Sequence, residues 1–77
     1  MDRLPHDVRE ILDIAVREAL RESPKEVNAV ILYDVGDETY RQIAKRLGSN
    51  RPADVADWLV QGREKIAEYL PPRHDLY

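Results

Sequence analysis

The amino-acid sequence predicts an all-α fold, a small domain of four helices. Apolar residues return every three or four positions in four separate segments. Proline and glycine fall mainly between those segments, where helices start and stop. The one run rich in β-branched residues, Val27 to Tyr33, follows a strong helix start and has no second strand-like run to pair with, so a strand is the weaker reading of it.

The first helix is expected over about 5–22. Pro5 fits a first helical turn, where no N–H is needed, and Val8, Ile11, Leu12, Ala15 and Ala19 form one apolar stripe. Asp13 and Arg17 stand four apart in the acid-first order, worth about 0.2–0.5 kcal/mol. Ile14, Val16 and Leu20 add a further apolar edge, which reads as a dimer or partner face.

The second helix opens with "SPKE". Ser23 is placed to accept from first-turn N–H groups, Pro24 suits the first helical position, and Glu26 is placed to reach back as the other half of a capping box. Val27, Val30 and Ile31 point inward, and the helix ends near Asp34 because "VGDE", with Gly36, reads as a turn.

Asp37 is the expected cap of the third helix, whose inward residues are Tyr40, Ile43, Ala44 and Leu47. Gly48 then supplies the left-handed conformation that ends it. The fourth helix begins around Arg51 and Pro52. Its apolar set is Val55, Trp58, Leu59, Gly62, Ile66, Tyr69 and Leu70, with Ala56 on the margin, and Pro71–Pro72 stops it after about 18 residues, or ~27 Å. Gly62 sits in mid-helix on the buried stripe, where it costs about 1 kcal/mol against alanine, so another helix is expected to approach closely there. Trp58 and Tyr40 read as core anchors rather than stacking platforms, while the pattern leaves Tyr33 and Tyr69 open.

Residues 1–72 thus form a single helical domain, followed by a short C-terminal tail, 73–77, whose Leu76 and Tyr77 read as a fraying end rather than a plug for a partner's groove. A domain of 77 residues buries only about 60% of its unfolded surface, too little for a deep enzyme cleft. It has no cysteine, and His6 and His74 lie near opposite ends, so neither a metal site nor a cofactor is expected. The carboxylates are not spaced against a histidine, a nucleophile or a phosphate-cradling loop, which argues against an enzyme. No apolar run approaches ~20 residues and the N-terminus lacks the apolar core of a signal peptide, so no membrane association and a cytoplasmic location are expected.

The net charge of −3 hides a polarity along the chain. Residues 36–51 alone are basic, with four cations, Arg41, Lys45, Arg46 and Arg51, against two acids. A solvated helix face would explain them as well as a ligand would.

From about Arg21 to Leu70 the chain resembles region 4 of sigma-70-type sigma factors and the related LuxR-type helix-turn-helix, whose pattern is matched here by Tyr40, Ile43, Ala44, Leu47, Gly48, Val55, Leu59, Arg63 and Ile66. The resemblance implies a helix-turn-helix over about 38–70, the second helix entering the DNA major groove with its first residues on base edges. It carries the DNA-binding role onto Ala53, Asp54, Ala56, Asp57 and Gln61, with Arg51 at the groove lip. The interval from Gly48 to Val55 is one residue longer than the family spacing, so the turn must bulge or the helix must start later. Asp54 and Asp57 stand where the family has polar or basic residues.

An aspartate can accept from a cytosine amino group, a contact worth about 1–3 kcal/mol, but two anions oppose phosphate neutralisation. First-turn acids also complement the helix dipole, at about 0.3–1 kcal/mol each, which explains Asp54 without a ligand and leaves Asp57 open. Two functions follow. One is a DNA-binding transcriptional regulator with Arg41, Lys45, Arg46 and Arg51 on phosphates and Gln61 or Arg63 as auxiliary contacts, needing a dimer, for instance through helix 1, or a partner for affinity. The other is a protein-interaction module of the same fold, a sigma-like mimic or regulator docking on the transcription machinery through helix 4 or helix 1.

Overall fold

The computed structural model describes residues 3–70, with side chains from Arg9 onward. Four helices follow in order: α1, Arg3–Glu22; α2, Pro24–Asp34; α3, Tyr40–Arg46; α4, Pro52–Glu68. No strand occurs among the described residues, and "VNAVILY" is helical throughout. Val8 is described in its backbone only, and His6's side chain, the Pro71–Pro72 stop, His74 and the tail with Leu76 and Tyr77 lie outside the described residues.

Small residues let these helices approach one another. The core consists of Ala15, Ala19, Val27, Ala29, Val30, Ile43, Ala44, Val55, Leu59 and Ile66, with no buried polar group among the described residues. Ile43, Ala44, Val55 and Leu59, the four residues on which the crossing of α3 and α4 rests, are all buried together. α4 packs most extensively on α2. Gly62 is the reason: a Cβ there would stand 2.4 Å from the carbonyl oxygen of Glu26 and 2.7 Å from Cγ2 of Val30. The helix-propensity loss at Gly62 is therefore offset by the packing of the α2 backbone directly over it.

Two of the expected caps are replaced. Ser23 occupies the N-cap position of α2 but accepts no cap hydrogen bond, so the Ser23–Glu26 box does not form; at φ −136° and ψ 68° the residue turns the chain sharply out of α1. Its carbonyl and amide close the junction instead, with Ser23 N–H donating to the Ala19 carbonyl at 2.8 Å and Val27 N–H to the Ser23 carbonyl at 2.9 Å. At α3 the cap is Thr39, not Asp37. Thr39 Oγ1 accepts from Gln42 N–H at 3.2 Å while Gln42 Oε1 accepts from Thr39 N–H at 2.9 Å, a complete capping box. Asp37 is left to take the positive φ of the preceding turn, at 55°, a conformation that aspartate tolerates better than most residues.

Gly48 ends α3 as expected, at φ 89°. Ser49 N–H donates to the Ala44 carbonyl at 2.8 Å and Gly48 N–H to the Lys45 carbonyl at 3.4 Å, the paired bonds of a Schellman ending. On α1, Val16 and Leu20 pack against the core rather than forming a free edge, and Ile14 is 59% exposed; Leu12, expected on the inward stripe, is instead 47% exposed. Tyr40, expected inward, is 38% exposed and lies against Tyr33 with ring centroids 5.5 Å apart. Among the described residues no helix is long and apolar enough to cross a membrane.

Candidate nucleic-acid interface

The turn between α3 and α4 runs from Leu47 to Arg51, and it answers why an aspartate opens α4. The Ser49 hydroxyl donates to Asp54 Oδ2 at 2.8 Å and accepts from Arg51 N–H at 3.1 Å. Arg51 Nε lies 3.8 Å from the other Asp54 oxygen. Asp54 N–H in turn donates to the Arg51 carbonyl at 3.0 Å. One carboxylate thus ties the middle of the turn to its last residue and sits in the first turn of a helix whose dipole favours an anion there. The turn ends at Arg51, and α4 starts at Pro52. No side chain of Arg51 caps that helix, so the Ser49–Asp54 pair does the local work.

Beside this turn lies a cleft of about 440 Å³ lined by Arg41, Ala44, Lys45, Ser49, Asn50 and Pro52. Arg41 and Lys45 are one helical turn apart on α3, so both cations project on the same side. Each is exposed and has no acidic partner among the described residues. Arg46, one position further round α3, is differently placed: its Nε and Nη2 donate to the two carboxylate oxygens of Glu38 at 3.0 and 2.7 Å. That fork of hydrogen bonds raises the Arg46 pKa further above its ordinary value, first by hydrogen bonding and then by the charge of Glu38. Arg46 is thus occupied in tying the start of α3 to its end.

The outward face of α4 carries Ala53, Ala56, Asp57, Val60, Gln61 and Glu64, all exposed and spaced by one, three or four residues. No cation stands on it. Asp57 has no partner among the described residues, unlike Asp54. Arg63 leaves this face: Nη2 donates to Asp34 Oδ1 at 2.9 Å and the guanidinium lies 5.9 Å from the Tyr33 ring centroid. Of the residues singled out from sequence, the fold brings together Arg41, Lys45, Arg51, Ala53, Asp54, Asp57 and Gln61 along α3, the turn and the outward face of α4. It assigns Arg46 and Arg63 to ion pairs elsewhere.

Three interactions carry no recognisable spacing signal in the sequence. Lys25 lies over the ring of the half-buried Trp58, Nζ 5.3 Å from its centroid. Lys65 donates to Glu22 at 3.1 Å and Tyr69 Oη hydrogen-bonds to the same carboxylate, which latches the end of α1 to the end of α4. Lys65 also donates to Glu68, three residues on in its own helix, at 3.2 Å. The two carboxylates raise the Lys65 pKa, Glu22 contributing most. The Thr39–Gln42 box, by contrast, was written plainly as T-x-x-Q.

No family model, no curated protein and no solved structure matches this chain.

Proposed function

We propose that this protein is a helix-turn-helix DNA-binding regulator in which α3 and α4 form the motif and the outward face of α4 lies against the major groove. The observation that carries this reading is the pair Arg41 and Lys45, exposed beside the α4 N-terminus and without an acidic partner among the described residues. Two cations there meet phosphates flanking the groove that α4 enters, while the small side chains of Ala53 and Ala56 allow close approach and Gln61 supplies a donor and an acceptor for a base edge. Asp54 opposes DNA less than its charge suggests, because Ser49 and Arg51 hold it in the turn. Affinity from so few phosphate contacts is low, so a dimer or a partner protein completes the site.

The test is fluorescence anisotropy with duplex DNA across a salt series. Arg41→Ala and Lys45→Ala each weaken binding about uniformly across sequences and each reduce the salt slope by about one, whereas Arg46→Ala, held by Glu38, changes binding less. Asp57→Asn strengthens it. Lack of any duplex binding at low salt, at concentrations where the chain is folded, discards the reading.

A second reading rests on the cation-free face of α4, where Val60 is 57% exposed between Asp57 and Glu64. Such a face suits a basic protein segment, and a module docking on the transcription machinery would use it. Val60→Glu abolishes capture of that partner and leaves duplex binding through Arg41 and Lys45 in place.

A further inference from the structure

A mostly apolar groove of about 320 Å³ lies between α1, α2 and α4, away from the Arg41–Lys45 cleft; Leu12, Val16, Val35, Ile66 and Leu70 are among its lining, with the Asp34–Arg63 ion pair beside them. The half of α1 that borders it is poorly covered: among the described side chains of α1, none before Ala15 is buried. Leu12 is 47% exposed and Val35 79% exposed, so an apolar helix face and an apolar groove sit side by side with no described side chain covering Leu12 or Val35. Lone exposed apolar residues need no explanation, but a continuous lining with an uncovered helix next to it marks an association surface.

We infer that this groove is a self-association site, filled by α1 of a second copy of the chain. The charges along α1 argue for a copy rather than another partner. Arg9, Leu12, Asp13 and Val16 share one side of the helix at three- and four-residue spacing. When two such helices pack antiparallel about a two-fold axis near Ile11, residues equally far on either side of it face each other, so each Arg9 stands opposite the partner's Asp13. The two Leu12 side chains then meet near the axis and close over the groove. Arg9 has no acidic partner among the described residues, and Asp13 is paired only with Arg17 of its own helix, at 3.2 Å with both side chains more than half exposed. A two-fold interface repeats one patch on both subunits, and an apolar centre flanked by one cation and one anion, four residues apart, is complementary to its own antiparallel image. The surface is distinct from α3 and the outward face of α4, so the inference stands whether or not DNA is bound.

The experiment is sedimentation equilibrium of the full chain from micromolar to millimolar concentration, with circular dichroism to confirm helicity. The expected result is a monomer–dimer equilibrium that Leu12→Glu and Val35→Glu each weaken about tenfold or more. Both side chains are exposed in the single chain, so the helical signal stays intact. Arg9→Glu weakens the dimer, and the double variant R9E/D13R recovers most of the loss, because the exchanged charges still face one another. A chain that remains monomeric at millimolar concentration overturns the inference and leaves the groove to a partner of another kind. A dimer indifferent to Leu12→Glu and Val35→Glu, or one that the double variant fails to recover, overturns it equally.

Discussion

Two glycines illustrate how one residue type answers different demands. Gly62 is required by space: its missing Cβ would collide with the backbone oxygen of Glu26, which cannot move without displacing α2. Gly62→Ala therefore destabilises by about 1–3 kcal/mol in urea titration, despite an intrinsic helix gain of about 1 kcal/mol. Gly48 is required by backbone angle. A Cβ there meets nothing within 4 Å, but φ is 89°, so Gly48→Ala loses about 1–2 kcal/mol through the left-handed conformation alone. The two are separable by a double test: shortening the facing side chain with Val30→Ala leaves the Gly48→Ala loss unchanged and leaves most of the Gly62→Ala loss, since the nearer obstacle is backbone. The closeness at Gly62 was legible in the sequence from a glycine on a buried stripe. That Asp37 rather than Gly36 would take the other positive φ was not, because the choice depends on how α2 ends.

At the scale of elements, the helix starts separate sequence pattern from realised bonding. Ser23 and Thr39 both look like caps, yet only Thr39 makes one. Thr39→Ala is expected to lower stability by about 1 kcal/mol, and Ser23→Ala to change it by a few tenths or less, in the same denaturation assay. Ser23 makes no cap bond because it is the single residue that joins α1 to α2, and its φ of −136° and ψ of 68° serve that junction rather than a cap. The Ser49–Asp54 bond is the third local start. Ser49→Ala removes the hydroxyl that holds Asp54, so it loosens the turn and returns the carboxylate to the outward face; weaker duplex binding with unchanged helicity is the expected outcome. The site is thus legible in its elements but not in its pairings. Arg41, Lys45, Arg46, Arg51 and Arg63 are equal as sequence, and only the positions of Glu38, Asp54 and Asp34 distinguish the occupied cations from those without an acidic partner among the described residues.

For the whole molecule, the decisive property is how little core there is. The largest fully buried side chains are Ile43, Leu59, Val27 and Val55, and alanines fill much of the remainder. A chain of this size holds about 4–12 kcal/mol of stability. Ile43→Ala, with a loss of about 2–5 kcal/mol, consumes a large part of that and leaves a cooperative unfolding transition shifted well down in urea or lost. Surface latches add less, and their contribution depends on conditions. Lys65 has its pKa raised by Glu22 and Glu68, so the stability it contributes is fully present at neutral pH and is lost as the pH rises through its folded-state value, above the ordinary lysine range. The difference in urea midpoint between wild type and Lys65→Met should persist through neutral pH, shrink in high salt and vanish only in strong alkali.

The sequence by itself determined four helices, their approximate limits and the inward identity of Ile43, Ala44, Val55, Leu59 and Gly62, because helical periodicity, proline and glycine act locally and leave their marks in adjacent residues. Only the tertiary structure decided which charges are spent on one another, that Val16 and Leu20 join the core while Leu12 stays out, and that α1, α2 and α4 enclose an apolar groove. Those outcomes depend on distances between residues as far apart as Glu22 and Lys65 or Asp34 and Arg63, and a one-dimensional pattern holds no measure of such distances until the helices have packed.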